Sequence, residues 1–250
     1  MNPIGIIGGS GLDNPQLLGD ARELCPDTPY GTPSSSILRG TLAGREVCLL
    51  ARHGRQHTIP PTQVNNRANL WALRELGCEK VLATAACGSL RAELGRGSMV
   101  IPDQFIDFTR HRPVTFFDAF EPGIENARHT PMADPFDDAM RSKLVGEGRA
   151  LGLAIHDGGT LLTIEGSRFS TRAESNMFRL WGADLVNMTV APEAILANEI
   201  GLRYAVVAVV TDYDCWKADE PPLCIEDLVR VFGDNIEHLV QLMLRTLPSL

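Results

Sequence analysis

The stretch Tyr204-Ala-Val-Val-Ala-Val-Val-Thr-Asp-Tyr-Asp-Cys-Trp216 decides how the rest of the chain is read. Tyr204 to Val210 is an apolar run rich in β-branched residues, the pattern of a strand buried on both faces. Such a strand needs helices on either side of its sheet. The run then breaks into Thr211-Asp212-Tyr213-Asp214. In open α/β sheets, ligands bind just beyond the carboxyl ends of the strands. Two carboxylates at i and i+2 point to the same side if the backbone stays extended. Asp212 and Asp214 therefore read as a paired site, or, more plainly, as caps for a following helix.

The same pattern, strand then polar loop then helix, repeats along the chain. Pro3 to Ile7 reads as a buried strand running into Gly8-Gly9-Ser10-Gly11, either a tight turn or an anion cradle. It is not a dinucleotide fingerprint, because Asn14 stands where GxGxxG needs its last glycine. Ile37–Arg39 and Val47–Ala51 flank Ala43-Gly44, a hairpin signal. The second of these strands ends in Arg52-His53-Gly54-Arg55-Gln56-His57, an anion site or a solvated loop. Thr62 to Gly77 has helical spacing, with Val64, Ala68, Trp71, Ala72 and Leu76 on one face. Val81 to Ala85 is a strand ending in the small residues Ala86-Cys87-Gly88-Ser89, which leave room for a ligand or for close packing.

Met99 to Phe108 is strand-like, and 109–130 has no clear period. A loop that long in a compact domain is usually functional or disordered. Asp134-Pro135 predicts an N-cap and first helical residue, opening a helix to about Leu151. Asp157 to Ile164 reads as a strand ending in Glu165-Gly-Ser-Arg-Phe-Ser170. Thr171 and Glu174 form a capping-box pattern for the next helix. Asp184 to Asn187 is a short strand ending in Met188-Thr189, and Pro192 to Ile200 is a helix closed by Gly201. Ile225 to Leu247 is the final helix. Alternating strands and helices, with no repeat and no linker, predict a single-domain three-layer α/β fold over residues 1–250.

Composition narrows the function. The net charge is −8 and the cations form no stripe, which argues against a nucleic-acid partner. No segment approaches the length needed to cross a bilayer, and the N-terminus does not read as a signal peptide. The six cysteines show no CxxC pair and read as free thiols of a reducing cytoplasm. His53 and His57 are four apart, but Gly54 lies between them and no HExxH glutamate is present, so no metal is expected.

Taken together, GGSG, ARHGRQH, AACGS, EGSRFSTRAE, NMT and TDYD supply anion donors, hydroxyls, an aromatic ring and two carboxylates, each set at a strand end. Leu50-Ala-Arg-His-Gly-Arg-Gln-His-Thr58, Gln104-Phe-Ile-Asp107, Trp181-Gly-Ala-Asp184 and Thr211-Asp-Tyr-Asp-Cys-Trp-Lys217 are long and specific. In these segments, and through nearly its whole length, the chain resembles the methylthioadenosine phosphorylase family of the trimeric purine nucleoside phosphorylases. The resemblance implies a nucleoside phosphorylase-like fold around a central mixed sheet. It implies phosphate attack on C1′ of 5′-methylthioadenosine, with adenine leaving from an oxocarbenium-like transition state. Inorganic phosphate is then the co-substrate and no cofactor is required. The partners implied are small-molecule nucleoside and phosphate, with neither nucleic acid nor membrane, in a homotrimer.

Residue by residue, the resemblance gives Ser10, Arg52, His53, Ala86 and Thr189 to phosphate. Met188 lies against the ribose, Phe169 packs on the base, and Asp212 and Asp214 address the purine, with Asp212 as general acid. Ile225 and Leu228 line the 5′ pocket, and His129 arrives from a neighbouring subunit. Ser10 keeps the hydroxyl of the family's usual threonine. Ala85 stands where relatives carry a hydroxyl or amide, and Ser167 stands where they carry proline. Longer relatives continue past the position of Leu250 over the 5′ pocket, which implies looser 5′ selection here. Two other readings remain: a phosphorylase of 6-oxopurine nucleosides or methylthioinosine, and a non-catalytic nucleoside-binding protein on the same fold.

Overall fold

The computed structural model describes residues 2–8, 18–220 and 225–250, without the side chains of 225–229 and 232. Its first half comprises β1 (Ile4–Gly8), β2 (Gly19–Leu24), β3 (Ile37–Leu42), β4 (Arg45–Ala51), α1 (Asn66–Glu75) and β5 (Lys80–Ser89), followed by β6 (Met99–Ile101) and β7 (Gln104–Phe108). The second half comprises α2 (Asp138–Ala150), β8 (Ile155–Asp157), β9 (Thr160–Ile164), α3 (Arg172–Leu180) and β10 (Leu185–Asn187), then α4 (Val190–Glu199), β11 (Arg203–Asp212) and α5 (Ile225–Thr246).

Among the described residues, eleven strands join in one mixed sheet, and β11 sits inside it, parallel to β5 and antiparallel to β6. Its side chains alternate strictly between two cores. Tyr204, Val206, Ala208 and Val210 pack with Leu70 and Leu73 of α1 and with Ala194 and Leu196 of α4. Ala205, Val207 and Val209 pack with Met140 and Leu144 of α2 and with Leu239 and Met243 of α5. That is the physical content of the double-sided apolar run, since each valine fully withdrawn from water is worth about 1.5–3 kcal/mol. A smaller core under α3 gathers Leu90, Leu162, Ile164, Phe178 and Val186. The layers are thus helix, sheet and helix, as the sequence predicts. No helix among the described residues is long and apolar enough to cross a membrane.

Several boundaries differ from the sequence reading. Met99–Phe108 is two strands, because Pro102 has no N–H for a ladder. The first half pairs with β11 and β8 and the second with β9. The reading of 157–164 as one strand likewise divides, at Gly158-Gly159, into β8 and β9. α2 starts at Asp138 rather than near Asp134. The Asp137 N–H donates to Tyr204 O at 2.8 Å, holding the chain extended there, and the Asp137 side chain then caps Met140 N. α1 begins after a short 3-10 turn, capped by Asn65. β2 carried no signal because all but one of its side chains are exposed. The β3–β4 hairpin turns on Ala43 and Gly44, both left-handed (φ 51° and 76°), and the Thr171–Glu174 capping box forms as read.

One topological detail creates the site. β5 is ten residues long, and one of its edges is shared. β1 runs beside its first half, to Ala83, while β10 meets that edge again only at Gly88. Between those points the sheet opens, at the topological switch where α/β sheets bind ligands.

Candidate active site

A cavity of about 400 Å³ fills that opening, and its walls are strand ends. β4 contributes Arg52 and His53, β5 contributes Ala85 to Gly88, the β9–α3 loop contributes Ser167, Phe169 and Ser170, β10 contributes Asn187 to Thr189, and β11 contributes Thr211, Asp212 and Asp214. Arg52, His53, Ala86, Phe169, Met188, Thr189, Asp212 and Asp214, all singled out in the sequence, therefore meet in one place. Ser10 lies outside the described residues, as do the side chains of Ile225 and Leu228. His129 does not join this cavity. It lines a second one with Gln104, Phe105 and Glu199, its ring 5.9 Å from that of Phe120.

At one end, Arg52 is fully buried and its guanidinium fork is already engaged. Nε donates to Glu193 Oε1, Nη2 to Glu193 Oε2 at 3.0 Å, and Nη1 to Thr84 O at 2.9 Å. Tyr204 Oη donates to the same carboxylate at 2.7 Å. The doubly hydrogen-bonded face of Arg52, an obvious phosphate ligand from sequence, thus belongs to Glu193. His53 Nδ1 lies 2.9 Å from Ile59 O; a carbonyl only accepts, so that nitrogen carries the proton and Nε2 is an acceptor. Burial, helped by the Arg52 charge, pushes the His53 pKa down to about 4. Thr189 is the N-cap of α4 and makes no side-chain cap bond, so its hydroxyl and the helix's positive end stand at the cavity.

At the other end lie the two carboxyls. The expectation that an extended backbone aligns them does not hold. The β5–β11 register slips between Val210 and Asp212, and Asp214 adopts a left-handed backbone (φ 50°). The bulge and the turn nevertheless deliver both side chains to the cavity. Gly88 makes room for them, since a Cβ there would sit 3.0 Å from Asp212 Oδ1 and 3.3 Å from Asp214 Cβ. Asp212 Oδ1 accepts from Asp214 N at 2.6 Å. Thr211 Oγ1 lies 2.8 Å from Asp212 Oδ2 and 3.2 Å from Cys87 O, so one hydroxyl hydrogen faces two acceptors. A proton on Asp212 Oδ2 satisfies both. Burial raises the pKa of Asp212, against the Thr211 hydroxyl and the Asp214 N–H, which pull it down. Burial likewise raises Asp214, with the nearby Ser175 and Ser170 hydroxyls opposing.

Among the described residues, Asp214 Oδ2, Ser170 Oγ, Ser175 Oγ and Asn187 Nδ2 are buried side-chain atoms without a well-formed hydrogen bond. Of these, Asp214, Ser170 and Asn187 line the cavity; buried polar groups are almost always paired, so their unspent capacity marks where a ligand can complete the set. Sequence reasoning passed over Ser170, Glu193 and Tyr204. Glu193 did leave a signal: it is the one charge among the buried positions of α4. Glu165 is structural, as it accepts from Arg110 N at 2.8 Å and from His111 N at 3.2 Å.

Residues 3–248 match the phosphorylase superfamily. The chain belongs to that superfamily. It is 48% identical to the S-methyl-5′-thioadenosine phosphorylase of Danio rerio over 247 residues, covering 99% of this chain and 88% of the relative. The enzyme of the same name from Xenopus tropicalis is 48% identical over 248 residues, again covering 99% and 88%. In three dimensions the chain superposes on the methylthioadenosine phosphorylase of Schistosoma mansoni in complex with adenine, with a TM-score of 0.91 and 38% identity, covering all of this chain and 92% of that one. The tubercidin complex of the same enzyme gives a TM-score of 0.90 at 37% identity, with the same coverage. The superfamily accounts for the mixed sheet flanked by helices.

Proposed function

We propose that the chain catalyses the phosphorolysis of S-methyl-5′-thioadenosine to adenine and 5-methylthioribose 1-phosphate. The observation that carries this reading is one cavity with two chemically opposite ends: donors suited to an oxyanion at Thr189 and β5, and two raised carboxyls at Asp212 and Asp214. The relatives named above share the activity by name and match over nearly the whole chain. The structural neighbours bind adenine and tubercidin.

Phosphate, the co-substrate, sits among Arg52, His53, Ala86, Thr189 and Ser10. Thr84 O already accepts from Arg52, on the open side of β5. Backbone groups alternate along a strand, so Ala86, two residues on, turns its N–H to that same side. His53 Nε2, as an acceptor, takes a hydrogen bond from a protonated phosphate oxygen. Met188 lies along the ribose through its backbone, and Phe169 closes over the base at the mouth. A phosphate oxygen attacks C1′, the C1′–N9 pair moves into the purine, and Asp212 gives its proton to N7. A carboxyl whose pKa is raised by burial suits that role. Asp214 Oδ2, which has no well-formed hydrogen bond, accepts from the 6-amino group. Ile225 and Leu228 face the 5′-methylthio group, and a neighbouring subunit of a homotrimer supplies His129.

The test is release of free purine in a spectrophotometric assay, with and without phosphate, from methylthioadenosine, methylthioinosine and adenosine. Phosphate-dependent release is expected, with methylthioadenosine the best of the three and favoured over adenosine by about 1–3 kcal/mol. A preference for methylthioinosine overturns the assignment of the base. Binding without release in any of the three overturns the enzyme reading.

A further inference from the structure

Arg112 belongs to the irregular segment after β7, far in sequence from every strand end that forms the cavity, yet its residue is only 8% exposed. Its guanidinium is spent on the ends of two neighbouring parallel strands. Nη1 donates to Met188 O beyond β10, Nη2 donates to Ile164 O at the end of β9 at 3.3 Å, and Nε faces Glu165 Oε2 at 3.5 Å. Met188 and Ile164 both line the cavity, whereas Arg112 does not.

The grip on Met188 O matters because that oxygen belongs to the peptide plane shared with Thr189. The other edge of this plane, the Thr189 N–H, donates to Asn187 Oδ1 at 3.4 Å. Asn187 Oδ1 is itself held by the Thr163 hydroxyl at 2.8 Å, inside the core. One peptide plane is thus fixed on both edges, by a cation outside the cavity and by an amide within its wall. A peptide so placed can rotate only by breaking the charge-assisted Arg112 bond, worth about 1.5–3 kcal/mol, together with the neutral Thr189–Asn187 bond.

We propose that Arg112 is a positioning residue for the sugar subsite, holding the Met188–Thr189 peptide so that Met188 presents its backbone to the ribose. This rests on the phosphorylase reading, and it extends it to a residue that touches neither substrate. The long segment 109–130 gains a role of its own: it brings one buried cation behind the sugar. Glu165 completes the device, because Oε1 accepts the Arg110 and His111 N–H groups and so ties the segment down just ahead of Arg112.

The test separates sugar from base. Arg112→Lys keeps the charge but cannot bridge two carbonyls. Its nucleoside KM should rise about tenfold or more, the scale of one charge-assisted hydrogen bond. Its dissociation constant for free adenine, which needs only the base end, should stay within about twofold on the same reasoning. Glu165→Gln, which leaves the guanidinium and its two carbonyls in place, should shift the nucleoside KM in the same direction by less, again with adenine binding unchanged. If Arg112→Lys does not fold, Glu165→Gln alone decides. An unchanged nucleoside KM, or adenine affinity falling in step with it, overturns the proposal. Failure of the parent chain to release adenine from methylthioadenosine is a separate result and strikes the proposed function instead.

Discussion

The two ends of the cavity are built on opposite terms. Around Arg52 the fork, the Glu193 carboxylate and the Tyr204 hydroxyl satisfy one another, so that end holds a cation and an anion in balance within the protein. Around Asp212 and Asp214, the Thr211 hydroxyl faces two acceptors, and the Ser170 and Ser175 hydroxyls and Asp214 Oδ2 are buried near one another without well-formed hydrogen bonds. The first arrangement fixes geometry before any ligand arrives. The second is costly until a ligand completes its hydrogen bonding. On the proposed reading, the first half can hold its geometry while the second exchanges hydrogen bonds with the purine.

If that contrast is right, substitutions at the two ends should fail in different ways. The largest effect is expected at the base end. Asp212→Asn should lower kcat/KM for methylthioadenosine by about 10²–10⁴ while leaving the melting temperature unchanged or higher, since it removes a carboxyl strained by burial. The same variant should narrow or invert the preference for methylthioadenosine over methylthioinosine, expected to be about a hundredfold in the parent. Steady-state kinetics on both nucleosides, with a thermal melt alongside, would show it. A large loss of stability here would erase the contrast.

Next comes Glu193→Gln at the Arg52 end. Stripping one partner from a buried ion pair costs about 3–5 kcal/mol, so urea titration should show a clear drop in midpoint. A shift below about 1 kcal/mol would mean the pair contributes no more than an exposed one. Arg52→Ala sharpens this. Alone it leaves Glu193 buried and unpaired, and both stability and phosphate use should suffer. Combined with Glu193→Gln it should regain stability, while the phosphate KM stays raised by about tenfold. Recovery of phosphate affinity in the double variant would place the anion elsewhere.

The smallest effect is one of pH. His53 stays neutral in the folded chain down to about 4, whereas its ordinary value is 6.5. Between those values the unfolded chain binds the extra proton, so His53 lowers stability as pH falls through this window, and the loss levels off below it. His53→Gln should flatten that part of the melting profile. Asp212 and Asp214, whose carboxyls are raised, push the other way and are common to both proteins, so the difference between the two profiles isolates the histidine.

Much of the architecture was legible because it is written in periodicity. β11 alternates between two cores with no exception from Tyr204 to Val210, and the capping box of α3 is a local rule locally obeyed. That the strand-end residues would gather in one cavity could be read for the same reason. What escaped depends on contacts distant in sequence. Nothing near Arg52 announces that Glu193, on α4, takes its fork, and nothing near Met188 announces Arg112. The shared orientation of the two aspartates was read correctly in outcome but not in cause, because a bulge and a left-handed residue replace the extended backbone. β2, exposed along nearly its whole length, shows no pattern because burial imposes none.

The opening beside β5 has a further meaning for how such a site tolerates drift. A donor belonging to the main chain is not encoded by any side chain, so alanine at position 86 can serve as well as any other residue small enough to fit. Only proline lacks the N–H. Function lodged in the missing rung of a ladder is in that sense shielded from most point mutation. It is exposed instead to whatever moves the two strands that leave the gap: an extra residue in β1, or a longer β10, would close the sheet and silence the site without touching one catalytic group.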